Sequence, residues 1–150
     1  MQPRDLELKT FDEVLAEAER LHRHGYERTG QWDLAQVLDH LTYFMNGGLD
    51  GYTFKVHWII KTLLGKMVLR RISSQKKMKR GVFTPHKPLP EPGGDEAAAL
   101  ARFREALKRF VDHPGDYQPS PFFGIVSREE SQELNLIHCR HHLGYLIPKS

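Results

Sequence analysis

Apolar residues recur every three to four positions along most of the chain, and nowhere do they alternate with a two-residue period for long enough to define a strand. The pattern predicts an all-α protein. A first helix is expected from Thr10, whose hydroxyl can cap the backbone while Glu13 returns the bond, with Phe11, Val14, Leu15, Ala18 and Leu21 on one face and Gly25 as its stop. Asp33 and Gln36 repeat that geometry for a second helix, in which Leu34, Val37, Leu38, Leu41 and Met45 share a stripe until Gly47 and Gly48 end it. His40 lies at the edge of this stripe.

A weaker third helical stretch runs from Phe54 to about Arg71, interrupted at Gly65 and apolar around much of its circumference. Ile72 to Gly94 reads as a long connection, basic in KKMKRG and then proline-rich through Pro85, Pro88, Pro90 and Pro92. The next helix starts near Asp95 and is expected to bury Leu100, Phe103, Leu107, Phe110 and Val111 before Pro114 ends it. A last helix opens with the capping pair Ser127 and Glu130 and continues to about Leu146, ahead of Pro148. With no internal repeat and no second boundary, residues 1–150 are expected to form a single helical-bundle domain.

Composition agrees with a packed core, since 39% of residues are hydrophobic and 27% charged. The opening MQPRDLELKT has neither the basic start nor the apolar stretch of a secretory leader, and no run reaches the roughly 18 apolar residues of a membrane span. A single cysteine, Cys139, excludes an intramolecular disulfide. These features predict a cytoplasmic protein without a membrane span.

Charge is uneven. Ten of the 22 basic residues fall within residues 51–90, which contain no Asp or Glu, so the remaining 12 are set against 19 acidic residues elsewhere. Phe54, Trp58, Ile59, Leu63, Met67 and Val68 alternate there with Lys55, Lys61, Lys66, Arg70 and Arg71. Such a segment serves either as a bundle helix with its charges in water or as a surface for an anionic partner. No nucleic-acid-binding motif accompanies it, and nucleic acid is not an expected partner.

Three of the nine histidines crowd into LIHCRHHLGYL. His138 and His142 are four residues apart, so a helix sets them about 40° apart around its axis with Cβ atoms about 5–6 Å apart, close enough to share a metal ion. His141, at three residues from His138, is the competing partner. A third ligand is required, and His40 is the natural candidate because an uncompensated imidazole beside an apolar stripe would be costly to bury.

GQWDLAQVLDHLTYFMNGGLDGY together with the late FGIVSREESQELNLIHCRHHLGYLIP resembles the DinB/YfiT-like superfamily, in an uncharacterised branch of it. The resemblance implies a four-helix bundle carrying a His on its second helix and a His-x-x-x-His pair on its last, which fall here on His40, His138 and His142. Many members continue with Arg-Gly-Gln, where this chain has Leu143, Gly144 and Tyr145. Members with assigned roles look like thiol-dependent transferases or isomerases, so the resemblance implies a small-molecule substrate and a low-molecular-weight thiol as co-substrate. It also implies a homodimer.

Three imidazoles leave a coordination position open, the arrangement of a catalytic rather than a closed structural site. Imidazole suits several divalent ions, of which zinc and nickel are the expected ones. Two functions follow: a metal-dependent transferase or hydrolase, or a non-enzymatic metal-binding or interaction protein whose basic residues 55–87 contact an anionic partner. Catalytic residues beyond the metal ligands are not identifiable from the sequence. Cys139 points about 100° from His138 and is expected to be a small buried hydrophobe, whereas Trp32 and Tyr145 are candidates to line a pocket, and Gln36 and Asn46 to orient an imidazole.

Overall fold

In a computed structural model, residues 1–58, 60–80 and 89–150 are described, residue 63 by its backbone alone. The described chain is mostly helical, with five α-helices, a π-helical turn and a small two-stranded sheet. Helix α1 spans Phe11–His24 and α2 spans Leu34–Asp50, and each begins with a reciprocal capping box, Thr10 with Glu13 and Asp33 with Gln36. The boxes satisfy backbone N–H groups that have no carbonyl partner in a first turn. The π-helical turn Ile60–Gly65 leads into α3, Lys66–Gln75. Helix α4 covers Glu96–Asp112, capped by Asp95, and α5 covers Arg128–Leu143, capped by Ser127 with Glu130.

Helix α2 packs against α4 and α5, and α1 packs against the same two. Their apolar stripes meet in one core, which contains Val14, Leu21, Leu38, Met45, Phe103, Phe110 and Leu143, all fully buried or nearly so. A smaller cluster of Ile72, Leu134 and Ile137 holds α3 on the other flank of α5.

Several expectations are corrected. The fold is not purely helical, because β1, Tyr26–Arg28, pairs antiparallel with β2, Leu146–Pro148, in the register Tyr26↔Pro148, Glu27↔Ile147 and Arg28↔Leu146. Strands of three residues offer no alternation for a periodic reading to detect. The last helix accordingly stops at Leu143, and the chain turns at residues 144 and 145 into β2.

Helix α2 does not stop at Gly47 and Gly48 but runs to Asp50, with Gly51 as its cap. These two glycines serve close packing. A Cβ on Gly47 would run into the Tyr52 ring, and one on Gly48 would press on Phe110 at 3.3 Å. The third stretch begins its helical course later than expected, the backbone being irregular over residues 52–57, and α3 extends past Arg71 to Gln75, which buries Ile72 rather than leaving it in the connection. Val111 is 38% exposed and lies outside the buried row of α4. Ile59, Pro85, His86, Lys87 and Pro88 lie outside the described residues, as does the Leu63 side chain.

Among the described residues, no helix is long and apolar enough to cross a membrane.

Candidate metal centre

Two helices distant in sequence build the site. His40 sits in the second turn of α2, two residues after Leu38 and one before Leu41, both core residues, and only 3% of it is exposed. His138 and His142 occupy successive turns of α5, half-buried, on the side that faces α2. The i,i+4 spacing puts both α5 rings against His40, and close packing of α2 and α5 in a common core holds the two helices in place.

Each of the three histidines offers one ring nitrogen such that all three atoms lie within 4.8 Å of one another. His40 Nε2 and His138 Nε2 are 3.0 Å apart. At that separation one ring can donate its N–H to the other, but both cannot carry a proton there. Two nitrogen ligands on one tetrahedral ion, with bonds of about 2.0 Å, stand about 3.3 Å apart. The observed spacing is close to that, and the donor set is one that zinc, nickel, copper and iron accept. The residues fit a divalent ion.

Aromatic rings frame the cluster. Trp32, just ahead of the α2 cap, stacks on His142 at 5.4 Å between centroids with planes 13° apart and tilts against His40 at 4.9 Å. Phe44, one turn beyond His40, meets both His40 and His138 edge-on at 5.0 Å. These ring contacts restrict the orientations open to the imidazoles.

Trp32 thus lies beside the three histidines while also packing on the main core, and Phe44 was missed, although its i,i+4 spacing from His40 is a signal that would have found it. His141 is turned aside: its ring contacts His142 at 4.9 Å and Tyr145 at 5.5 Å, and it is not among the three that converge. Tyr145 instead belongs to the sheet end, where its carbonyl accepts from Thr29 N and Oγ1, both at 2.9 Å.

Gln36 serves the cap that its spacing from Asp33 predicts, and Asn46, the other candidate to orient an imidazole, is engaged elsewhere. Gln36 Oε1 accepts from Asp33 N at 3.1 Å and its Nε2 donates to the Pro90 carbonyl at 3.1 Å, while Asn46 Oδ1 accepts from Arg109 at 3.0 Å. Cys139 is wholly buried in the core, and desolvation pushes its thiol well above the ordinary cysteine range. It is a packing residue.

A family model described as "Protein of unknown function (DUF1569)" matches residues 1–149. No curated protein and no solved structure matches the chain.

Proposed function

The chain belongs to the DUF1569 family of proteins of unknown function, and on that premise we propose from its own site that it is a metal-dependent enzyme acting on a small molecule, with His40, His138 and His142 holding one divalent ion. The observation that carries this reading is the convergence of three ring nitrogens within 4.8 Å from helices that place His40 and His138 98 residues apart in sequence. Chance seldom brings three imidazoles to one point, and burying His40 without a function for its nitrogen would be costly.

A divalent ion held there supplies Lewis acidity at a position the three imidazoles leave free, enough to ionise a water or a thiol near neutral pH. The chain's own residues hold the geometry. His40 anchors the buried side, His138 and His142 close the exposed side, and Trp32 and Phe44 keep the rings from turning away. His138 and His142, half-buried, are the ligands nearer solvent, and His40 is the buried one.

A transferase with a low-molecular-weight thiol co-substrate is the preferred reaction class and a hydrolase the second, with zinc or nickel as the ion. The thiol rests on the resemblance of the two motifs to the DinB/YfiT-like superfamily. Supporting that kinship, a histidine stands on α2 and a His-x-x-x-His pair on α5, the second and last of the helices α1, α2, α4 and α5 that share the main core.

Elemental mass spectrometry of the untagged protein tests the site. The parent is expected to carry about one equivalent of a transition metal, and the variant with His40→Ala, His138→Ala and His142→Ala none. Parent protein that takes up neither zinc nor nickel would overturn the reading.

A further inference from the structure

Five of the large apolar side chains exposed among the described residues fall within eleven positions: Trp58 (65%), Ile60 (51%), Leu64 (50%), Met67 (61%) and Val68 (42%). From Ile60 onward they follow the spacing i, i+4, i+7, i+8, which places them along one side of the helical segment. The adjoining side is already occupied. Ile72 is buried against Leu134 and Ile137 with Leu69 packed beside it, and Gly65 brings the turn against the backbone of Phe122, where a Cβ would collide. The segment is thus apolar over more of its circumference than the core covers.

Charge distinguishes the uncovered side. Within residues 51–90 there is no carboxylate. At the far end of α3, Lys76 pairs with Glu133, and Lys77 and Arg80 pair with Asp5. Lys55, Lys66, Arg70 and Arg71 are exposed and make no ion pair among the described residues. A groove that continues the face is lined by Tyr52, Phe54, Lys55, Lys61 and Pro121, again without a carboxylate.

We propose that this face docks on an anionic lipid bilayer, with the outer stripe of residues 58–68 seated at the boundary of headgroups and acyl chains and the flanking cations on anionic headgroups. Apolar side chains bordered by unpaired lysine and arginine are the composition of an interfacial helix, and a tryptophan at the edge of the stripe suits headgroup depth. A second copy is a poor occupant, because a two-fold contact sets each patch against itself and brings cations together with no acid in the segment to offset them. An acidic protein would satisfy the cations and leave the stripe unexplained. The proposal is independent of the metal centre.

Full-length protein cosedimented with phosphatidylcholine vesicles, with and without phosphatidylglycerol, tests it, with tryptophan fluorescence as a second readout. Binding is expected only with phosphatidylglycerol present, and to weaken as salt rises. Of the two tryptophans, Trp58 should shift to the blue on binding, so that Trp58→Phe abolishes the shift. Neutralising Lys66→Gln and Arg70→Gln should weaken binding by about fivefold each, about 25-fold together. Leu64→Glu with Met67→Glu should abolish it while leaving the helical circular dichroism intact, since both side chains are exposed.

Failure of the parent to bind either vesicle, or binding that these variants leave unchanged, would overturn the proposal. So would a dimer in light scattering that Leu64→Glu with Met67→Glu dissociates, which would assign the face to a second copy.

Discussion

His40 and Cys139 show how differently the core treats two buried polar groups. The His40 ring, 3% exposed, is met by two further imidazoles and two aromatic rings, so burial holds a nitrogen in place for use. Cys139 follows His138 directly, yet it turns into the main core, where apolar neighbours keep its thiol neutral. One position along a helix is a rotation of about 100°, enough to separate a site from a core. Native protein is therefore expected to resist alkylation at Cys139 by iodoacetamide at neutral pH and to react fully in denaturant. Rapid native labelling would show that the thiol is accessible and the packing of α5 incorrect. A single substitution, His138→Ala, should abolish metal uptake with little change in helical circular dichroism, because the ring is half-buried and lies beside the core rather than inside it.

At the scale of elements, α2 is held at its start by an interlocked cap. Asp33 Oδ1 accepts from Gln36 N at 2.8 Å, Gln36 Oε1 accepts from Asp33 N at 3.1 Å, and Asp33 Oδ2 takes the Gly93 N–H at 3.2 Å. The cap thus ties the helix that carries His40 to the chain entering α4. Asp33→Ala is expected to lower stability by about 1–2 kcal/mol in urea denaturation. Metal stoichiometry should be unchanged, since His40 stands two turns inside the helix. Loss of metal at full stability would indicate that Asp33 acts on the site itself. At the other end of α2, Gly47 and Gly48 look like a stop in sequence and act as contact surface in the fold, the difference being the Tyr52 and Phe110 rings that fill the space left by their missing side chains.

Across the whole molecule, the two short strands bring the chain's end back to α1 and α2. Tyr26 is the joint: its hydroxyl donates to Glu96 at 2.6 Å and accepts from Leu34 N at 2.8 Å, linking β1 to the starts of α4 and α2. Burial, with Glu96 beside it, pushes this phenol up to about 12. Because the folded value lies above the unfolded value of about 10, its contribution is complete below about pH 10 and is lost as pH rises toward 12. Tyr26→Phe should cost roughly 1–3 kcal/mol at neutral pH, and its stability should fall less steeply than the parent's between about pH 10 and 12; parallel pH profiles would mean that the hydroxyl does not titrate with unfolding. Sequence alone determined the starts of α1, α2, α4 and α5 and three capping boxes among them, because stripes such as Val14, Ala18 and Leu21 and pairs such as Ser127 and Glu130 are local, spanning a few turns at most. It also singled out His40, His138 and His142 through spacing and resemblance. Only the tertiary structure decided that these rings meet while His141 turns away, that Phe44 joins them, that Leu146–Pro148 is a strand, and that one stripe of residues 58–68 is left uncovered. Each of these depends on which distant segment arrives opposite, and a contact across 98 residues has no periodicity to announce it.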